Sequence, residues 1–235
     1  MATRASTPTS TTRTRAPSTR RREKRFPDVP EGTAPEPAGT SLRALREAAA
    51  ACKRCDLWRP ATQTVFGEGS PKARIFVIGE QPGDREDMAG EPFVGPAGRI
   101  FDQAIEDLGL DRKSMYVTNA VKHFKFEPRG KRRIHKQPNP AEQKACHVWL
   151  ERELKAVKAE VVVCLGAIAA KAVFGSKFAL MKQHGEWQEL PDGRRAFATM
   201  HPSWVLRQRG DADREAAFRT FRADLALLTE LERRH

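Results

Sequence analysis

The sequence predicts an α/β fold, a three-layer α/β/α sandwich whose central sheet is mostly parallel and four-stranded. Three observations carry this expectation. Short apolar runs of strand length recur at residues 73–79 (ARIFVIG), 115–121 (MYVTNAV) and 160–166 (EVVVCLG). Longer segments with apolar residues at helical spacing lie between them, and strands alternating with helices imply a parallel sheet covered on both faces. At 235 residues the chain can hold one sizeable domain and a tail.

Residues 1–40 are rich in Ser, Thr, Arg and Pro, with almost no large apolar side chains. Such a segment cannot offset its ordering entropy by burial, so a disordered arm is expected. Arg13, Arg15, Arg20, Arg21, Arg22, Lys24 and Arg25 make it cationic, which serves either non-specific phosphate affinity or solubility. The ordered domain is expected over residues 41–235. Ser41 is a good N-cap for a helix carrying Leu42 and Leu45, which leads into a loop with Cys52 and Cys55. The run at 73–79 precedes a Gly/Pro loop and reads as a buried strand. Pro96 opens an amphipathic helix with Ile100, Phe101, Ala104, Ile105 and Leu108, ended by Gly109. The second strand is 115–121. Pro140 starts a helix to about Val157 that carries Cys146, Trp149, Leu150 and Leu154. The third strand, 160–166, is followed by the helix AIAAKAVF. GEWQEL and RRAFATM flank Pro191-Asp192-Gly193, a hairpin-like turn signal, and a last helix runs from about 212 to 231.

The formal net charge of +12 and pI of about 10.0 favour an anionic polymer as partner, because bound Lys and Arg release condensed counterions from phosphates. No apolar stretch approaches the roughly 18–20 residues needed to span a bilayer. No apolar core follows the N-terminal arginines, so a secretory signal is not expected, and the scattered prolines argue against an amphipathic transit helix. A cytoplasmic protein, nucleoid-associated when bound to DNA, is expected. Four cysteines are too few for a secreted disulfide scaffold of this length, which leaves a metal or cluster site in a reducing compartment.

In a parallel sheet the functional loops lie at the carboxyl ends of the strands. GEQPGD (79–84) follows the first strand, Asn119 ends the second and His201 follows the last, so three polar clusters converge on one edge. Cys52 and Cys55 have the spacing that lets one loop supply two thiolates. With Cys146 and Cys164 they fit a four-thiolate site, which zinc and a 4Fe–4S cluster both accept. Cys164, inside VVVCLG, also reads as a buried apolar residue. Glu80 and Asp84 are either turn-forming residues or chemistry at the sheet edge. Phe93 is a core plug or a stacking face, Asn119 a strand-end cap or a base reader, and His201 a junction residue or a donor. The run Lys131, Arg132, Arg133, Ile134, His135, Lys136 reads by charge as a phosphate-binding loop.

Taken together, the C-x-x-C start, GEQPGD, EPFVGPAGR (91–99), VTNAVKHFK (117–125) and the HPS at 201–203 resemble the uracil-DNA glycosylase superfamily. The resemblance is closest to its iron–sulfur family 4. Within that family, Gln81 and the loop GKRRIHKQP (130–138) are similar to the UdgX branch. It covers about residues 41–230 and implies a uracil-DNA glycosylase-like fold and DNA repair by uracil excision. The expected substrate is single-stranded uracil-DNA and the expected state a monomer. It further implies a structural 4Fe–4S cluster on Cys52, Cys55, Cys146 and Cys164. Glu80 would orient or deprotonate the nucleophile and stabilise positive charge on the sugar, Gln81 would contact the base or the basic loop, and Asp84 would lie beside the sugar. Phe93 would stack on the flipped base and Asn119 would read uracil. His201 would donate to the departing base, and Ser203 and Arg207 would hold the DNA backbone. His135 would attack the anomeric carbon and remain bound to it, with Lys131, Arg132 and Arg133 on DNA phosphates. A hydrolytic family 4 enzyme that turns over, and a non-catalytic cluster-bearing DNA-binding protein, are the alternatives.

Overall fold

A computed structural model describes residue 1 and residues 30–232. The cations expected to form the arm, Arg13 to Arg25, lie outside the described residues. Upstream of Ser41, Gly32 and Thr33 exchange backbone hydrogen bonds with Lys53, and Glu36 pairs with Arg152 at 2.9 Å.

Helix α1 (Leu42–Ala49) is capped by the Ser41 side chain, which accepts from the Ala44 N–H at 3.2 Å. Strand β1 (Ile75–Gly79) leads through GEQPGD to a short helix α2 (Asp84–Ala89), and Pro96 starts α3 (Pro96–Glu106). Strand β2 (Met115–Asn119) follows, and then a hairpin of β3 (Phe126–Arg129) and β4 (Arg132–His135). Helix α4 (Pro140–Ala156) opens with a capping box between Asn139 and Glu142. Then come β5 (Val161–Leu165), α5 (Ala167–Phe174), α6 (Leu180–Gln183), β6 (Gln188–Glu189) and β7 (Arg195–Thr199). The chain ends with α7 (Pro202–Leu206), α8 (Asp211–Leu225), a 3-10 turn and α9 (Thr229–Glu232).

The main sheet has the order β2-β1-β5-β7-β6. The first four strands are parallel. The expected count of four is corrected to five by β6, a two-residue antiparallel edge strand that the turn at Pro191–Gly193 folds back onto β7. Alternation along the strands splits the core. Ile75, Val77, Val117, Val163 and Phe197 face α3, α7 and α8, whereas Phe76, Ile78, Val162, Cys164 and Ala198 face α4 and α5. A further cluster, with Leu45, Cys52, Leu57, Cys146 and Trp149, joins α1 to α4. Among the described residues, no helix is long and apolar enough to cross a membrane.

The basic segment expected as a loop is instead the second strand of the hairpin, turned at Gly130 with φ +58° and with His135 opposite Phe126. Lys131 and Arg132 are exposed at or beside the turn.

Candidate active site

The carboxyl ends of β1, β2 and β7 bring Glu80, Asn119 and His201 to one edge, and the hairpin delivers His135 to the same place. The floor is Gly79. A Cβ there would lie 2.3 Å from Asn119 Oδ1 and 2.6 Å from Phe93 Cζ, so only glycine lets these two side chains meet. Asn119 is 2 % exposed and its parity places it on the α3/α7 face. Phe93 belongs to the core on that face, against Phe101 and with its ring centroid 6.1 Å from His201. Phe93 is also left-handed, at φ +58°. Its carbonyl oxygen would be 1.7 Å from a Cβ on Gly98, and the Glu86 carboxylate accepts from the Gly95 N–H at 3.0 Å. The loop is thus clamped in a conformation that a free chain disfavours, as is common where strain serves a site.

Both histidines have tautomers set by their partners. The Gln81 carbonyl oxygen accepts from the Lys125 N–H at 3.1 Å, and its amide donates to Lys136 O at 2.9 Å. Those backbone groups orient the carboxamide, so its nitrogen donates to His135 Nε2 at 2.8 Å. The ring lone pair is therefore on Nε2 and its proton on Nδ1. At His201, the Ser203 N–H and hydroxyl both approach Nδ1, at 3.2 and 2.8 Å, while Ser203 Oγ accepts from Arg207 at 2.7 Å. Nδ1 is the acceptor and Nε2 carries the proton, so Nε2–H is the donor that the ring has to offer.

Glu80 Oε1 lies 3.6 Å from His135 Nε2 and is buried without a hydrogen-bond partner among the described residues. Burial raises its pKa, partly opposed by the Arg207 guanidinium. Burial lowers that of His135, with Arg207 adding to it, and pushes His201 down to about 3, helped by Arg207 and His135. The cations beside His135 in the basic segment are not among the causes. Arg133 is held elsewhere. Its Nε lies 2.5 Å from Asp84 and its Nη1 2.6 Å from Asp87, whose side chain is wholly buried, and it stacks over Phe124 and Phe126. Asp84 and Arg133 thus tie the hairpin to α2 in this structure. Sequence reasoning missed Asp87, whose only signal was its place one helical turn after Asp84.

The second candidate centre lies between α1 and α4. Cys52, Cys55 and Cys146 share the α1/α4 cluster. Cys52 Sγ accepts from Trp149 Nε1 and Cys146 Sγ from the Lys122 N–H, each at 3.2 Å. Burial raises the pKa of Cys55 and pushes that of Cys146 up to about 12, with the other cysteines of the group adding repulsion and Lys122 opposing the rise at Cys146. Cys164 does not join them. It lies in β5, opposite Ile78 and Ala198, in the α4/α5 core, so the expected four-thiolate set is corrected to three cysteines. Its side chain follows the strand alternation, which overrides any pull toward the site. Among the described residues no three His, Cys, Asp or Glu side chains close into a metal-binding group. A further candidate donor is His123, buried and one residue after Lys122, whose N–H donates to Cys146 Sγ; sequence reasoning overlooked it. Thr64 Oγ1 donates to Ala49 O at 3.0 Å, so it accepts from His123 Nε2 at 2.9 Å and leaves the lone pair on Nδ1.

Residues 66–226 match the Uracil DNA glycosylase superfamily. A type-4 uracil-DNA glycosylase of Sulfurisphaera tokodaii is 36% identical over 174 residues, 71% of this chain and 76% of that protein. One from Thermotoga maritima is 35% identical over 161 residues, 68% of this chain and 80% of the other. One from Archaeoglobus fulgidus is 41% identical over 123 residues, which span 52% of this chain and 58% of that relative.

Proposed function

The chain belongs to the uracil DNA glycosylase superfamily, and on that premise we propose that it excises uracil from DNA in repair and then stays attached to the sugar through His135. The observation that carries the covalent step is the placement of His135. Its Nε2 lone pair is 2.8 Å from the Gln81 amide and 3.6 Å from the orphaned Glu80 oxygen.

The base stacks on Phe93 and meets the edge of Asn119, whose amide accepts from the uracil ring N–H and donates to the adjacent carbonyl. Cytosine reverses both polarities there, a mismatch worth roughly 10⁴–10⁵-fold in selectivity. As the glycosidic bond breaks, its electron pair leaves with uracil, and His201 Nε2–H donates to the developing anion. A preorganised donor of this kind contributes about 3–4 kcal/mol. The Glu80 carboxylate faces the cation left at the anomeric carbon. The His135 Nε2 lone pair, released from its hydrogen bond with the Gln81 amide, forms the new carbon–nitrogen bond, and the ring then loses its Nδ1 proton to solvent. A fixed, neutral imidazole outcompetes water by proximity. Lys131 and Arg132, exposed beside the hairpin turn, meet phosphates, and single-stranded DNA is the preferred substrate of a monomeric, cytoplasmic enzyme.

Cys52, Cys55, Cys146 and His123 would hold a 4Fe–4S cluster, a reading supported by the shared α1/α4 packing of the three cysteines and by the N–H···S bonds to Cys52 and Cys146. When bound, the cluster supplies a structural tie between the N-terminal segment and α4.

The test is incubation with uracil-containing single-stranded DNA and a denaturing gel. A heat-stable species whose mass equals protein plus DNA minus uracil is expected, absent with thymine- or cytosine-DNA and absent for His135→Ser. Turnover without a trapped protein would replace this reading by the hydrolytic one.

A further inference from the structure

Beneath the pocket lies an ion pair that the excision chemistry does not use. Lys122, three residues after the end of β2, and Glu153, in α4, are both fully buried. The Lys122 ammonium donates to Thr118 Oγ1 at 2.6 Å, to the Asn119 carbonyl at 2.6 Å and to Glu153 Oε2. That uses each of its N–H bonds. Glu153 Oε1 accepts from the Gly67 N–H at 3.0 Å and the Tyr116 hydroxyl at 2.9 Å. The pair is fully satisfied.

Taking two charges out of water is costly, and apolar residues of similar volume often stabilise a core as well or better. What a satisfied ammonium adds is direction, and here one of its bonds goes to the carbonyl of Asn119. From the opposite strand, the Gly79 and Glu80 carbonyls accept from the N–H groups of Ala120 and Val121 at 2.9 and 3.0 Å. The peptide after Asn119 is therefore held from two sides, while Gly79 leaves the Asn119 side chain its place beside Phe93. The backbone from which the Asn119 side chain springs is thereby fixed.

We propose that Lys122, with Glu153 as its counter-ion, is a positioning residue that aims the Asn119 amide at the base and so sets the rate and selectivity of uracil excision. The inference rests on reading Asn119 as the base reader. It assigns the buried pair to specificity rather than to stability.

The test is the double variant Lys122→Met/Glu153→Gln, because Lys122→Met alone would strand a buried carboxylate. The glutamine keeps an acceptor for Gly67 and Tyr116. Amide hydrogen exchange at Ala120 and Val121 and the Asn119 side-chain amide resonances are followed beside single-turnover release of uracil from single-stranded DNA. The folded double variant should exchange at both amides about tenfold faster or more, with shifted Asn119 resonances. Its uracil release should fall about 100-fold while binding to undamaged DNA is unchanged. Tyr116→Phe removes one donor to Glu153 but keeps the Lys122–Asn119 bond, and should release uracil near the wild-type rate. Unchanged exchange and resonances in the double variant would overturn the inference. So would wild-type release by that variant, or a Tyr116→Phe loss as deep as that of the double variant. A wild-type protein that releases no uracil would sink the glycosylase reading, and the exchange data would still decide whether Lys122 holds Asn119.

Discussion

Replacing Arg133 by Ala removes the side chain that fastens the hairpin to the body of the protein. Its contact with Asp87 is the costly one to lose, because that carboxylate is wholly buried while Arg133 itself is 21% exposed. Removing one partner of a buried pair costs about 3 kcal/mol at the low end, and the low end applies because the Thr62 N–H still reaches both Asp87 oxygens. The half shared with Asp84 is worth little, about 0–1 kcal/mol, since Asp84 is 57% exposed. Stacking over Phe124 and Phe126 adds about 0.5–1 kcal/mol for each ring. The docked hairpin should therefore lose at least about 4 kcal/mol, about a thousandfold or more in its docking equilibrium. His135 travels with the hairpin, whereas Glu80, Asn119 and His201 stay at the sheet edge. Rapid-quench denaturing gels should show adduct formation slowed at least about 100-fold, with uracil release within about tenfold of wild type. Adduct formation at the wild-type rate would show that the hairpin is held by other means. An equal loss of adduct and of uracil release would show that Arg133 supports the whole pocket, and either result refutes the reasoning.

Adduct formation needs His135 neutral, which its lowered pKa secures at and below pH 6.5, and Glu80 ionised, which its raised pKa delays above pH 4.5. The rate should thus be flat above neutrality and fall on the acid side, and stopped-time gels from pH 4 to 8 would show a fall above neutrality if this assignment is wrong. Because folding depresses the His201 pKa to about 3, its contribution to stability is untouched above its ordinary value of 6.5 and is lost as the pH falls below it, since the unfolded chain then binds the proton that the folded one refuses. That loss is about 1.4 kcal/mol per pH unit, and His201→Asn should flatten the acid limb of a melting-temperature profile. Cys146→Ser and His123→Ala should each cost the broad absorbance near 400 nm expected of the cluster, whereas Cys164→Ala should keep it and lose only about 1–2 kcal/mol of core packing; bleaching by Cys164→Ala would restore Cys164 as a ligand. Gly79→Ala should abolish uracil release while the protein still folds, because its methyl must displace Asn119 or Phe93, and retained activity would remove those two side chains from the pocket floor.

Much of this protein is determined by its sequence alone. Apolar runs of strand length, the caps at Ser41 and Asn139 and the prolines opening α3 and α4 are local signals, and each acts through groups within a few residues of itself. The convergence of Glu80, Asn119 and His201 was legible because parallel strands place all their carboxyl ends on one edge. What only the tertiary structure decided depends on partners far apart in the chain. Cys164 has the residue type of a ligand, but the pleat of β5 turns it into another core. Arg133 has the charge of a phosphate binder, but a buried carboxylate 46 residues away holds it. The tautomers of His135 and His201 are set by backbone groups and by Arg207, and the Lys122–Glu153 pair joins residues 31 apart. A local pattern carries a propensity, whereas burial and hydrogen-bond geometry belong to the assembled neighbours, and those neighbours choose among the roles that each residue type allows.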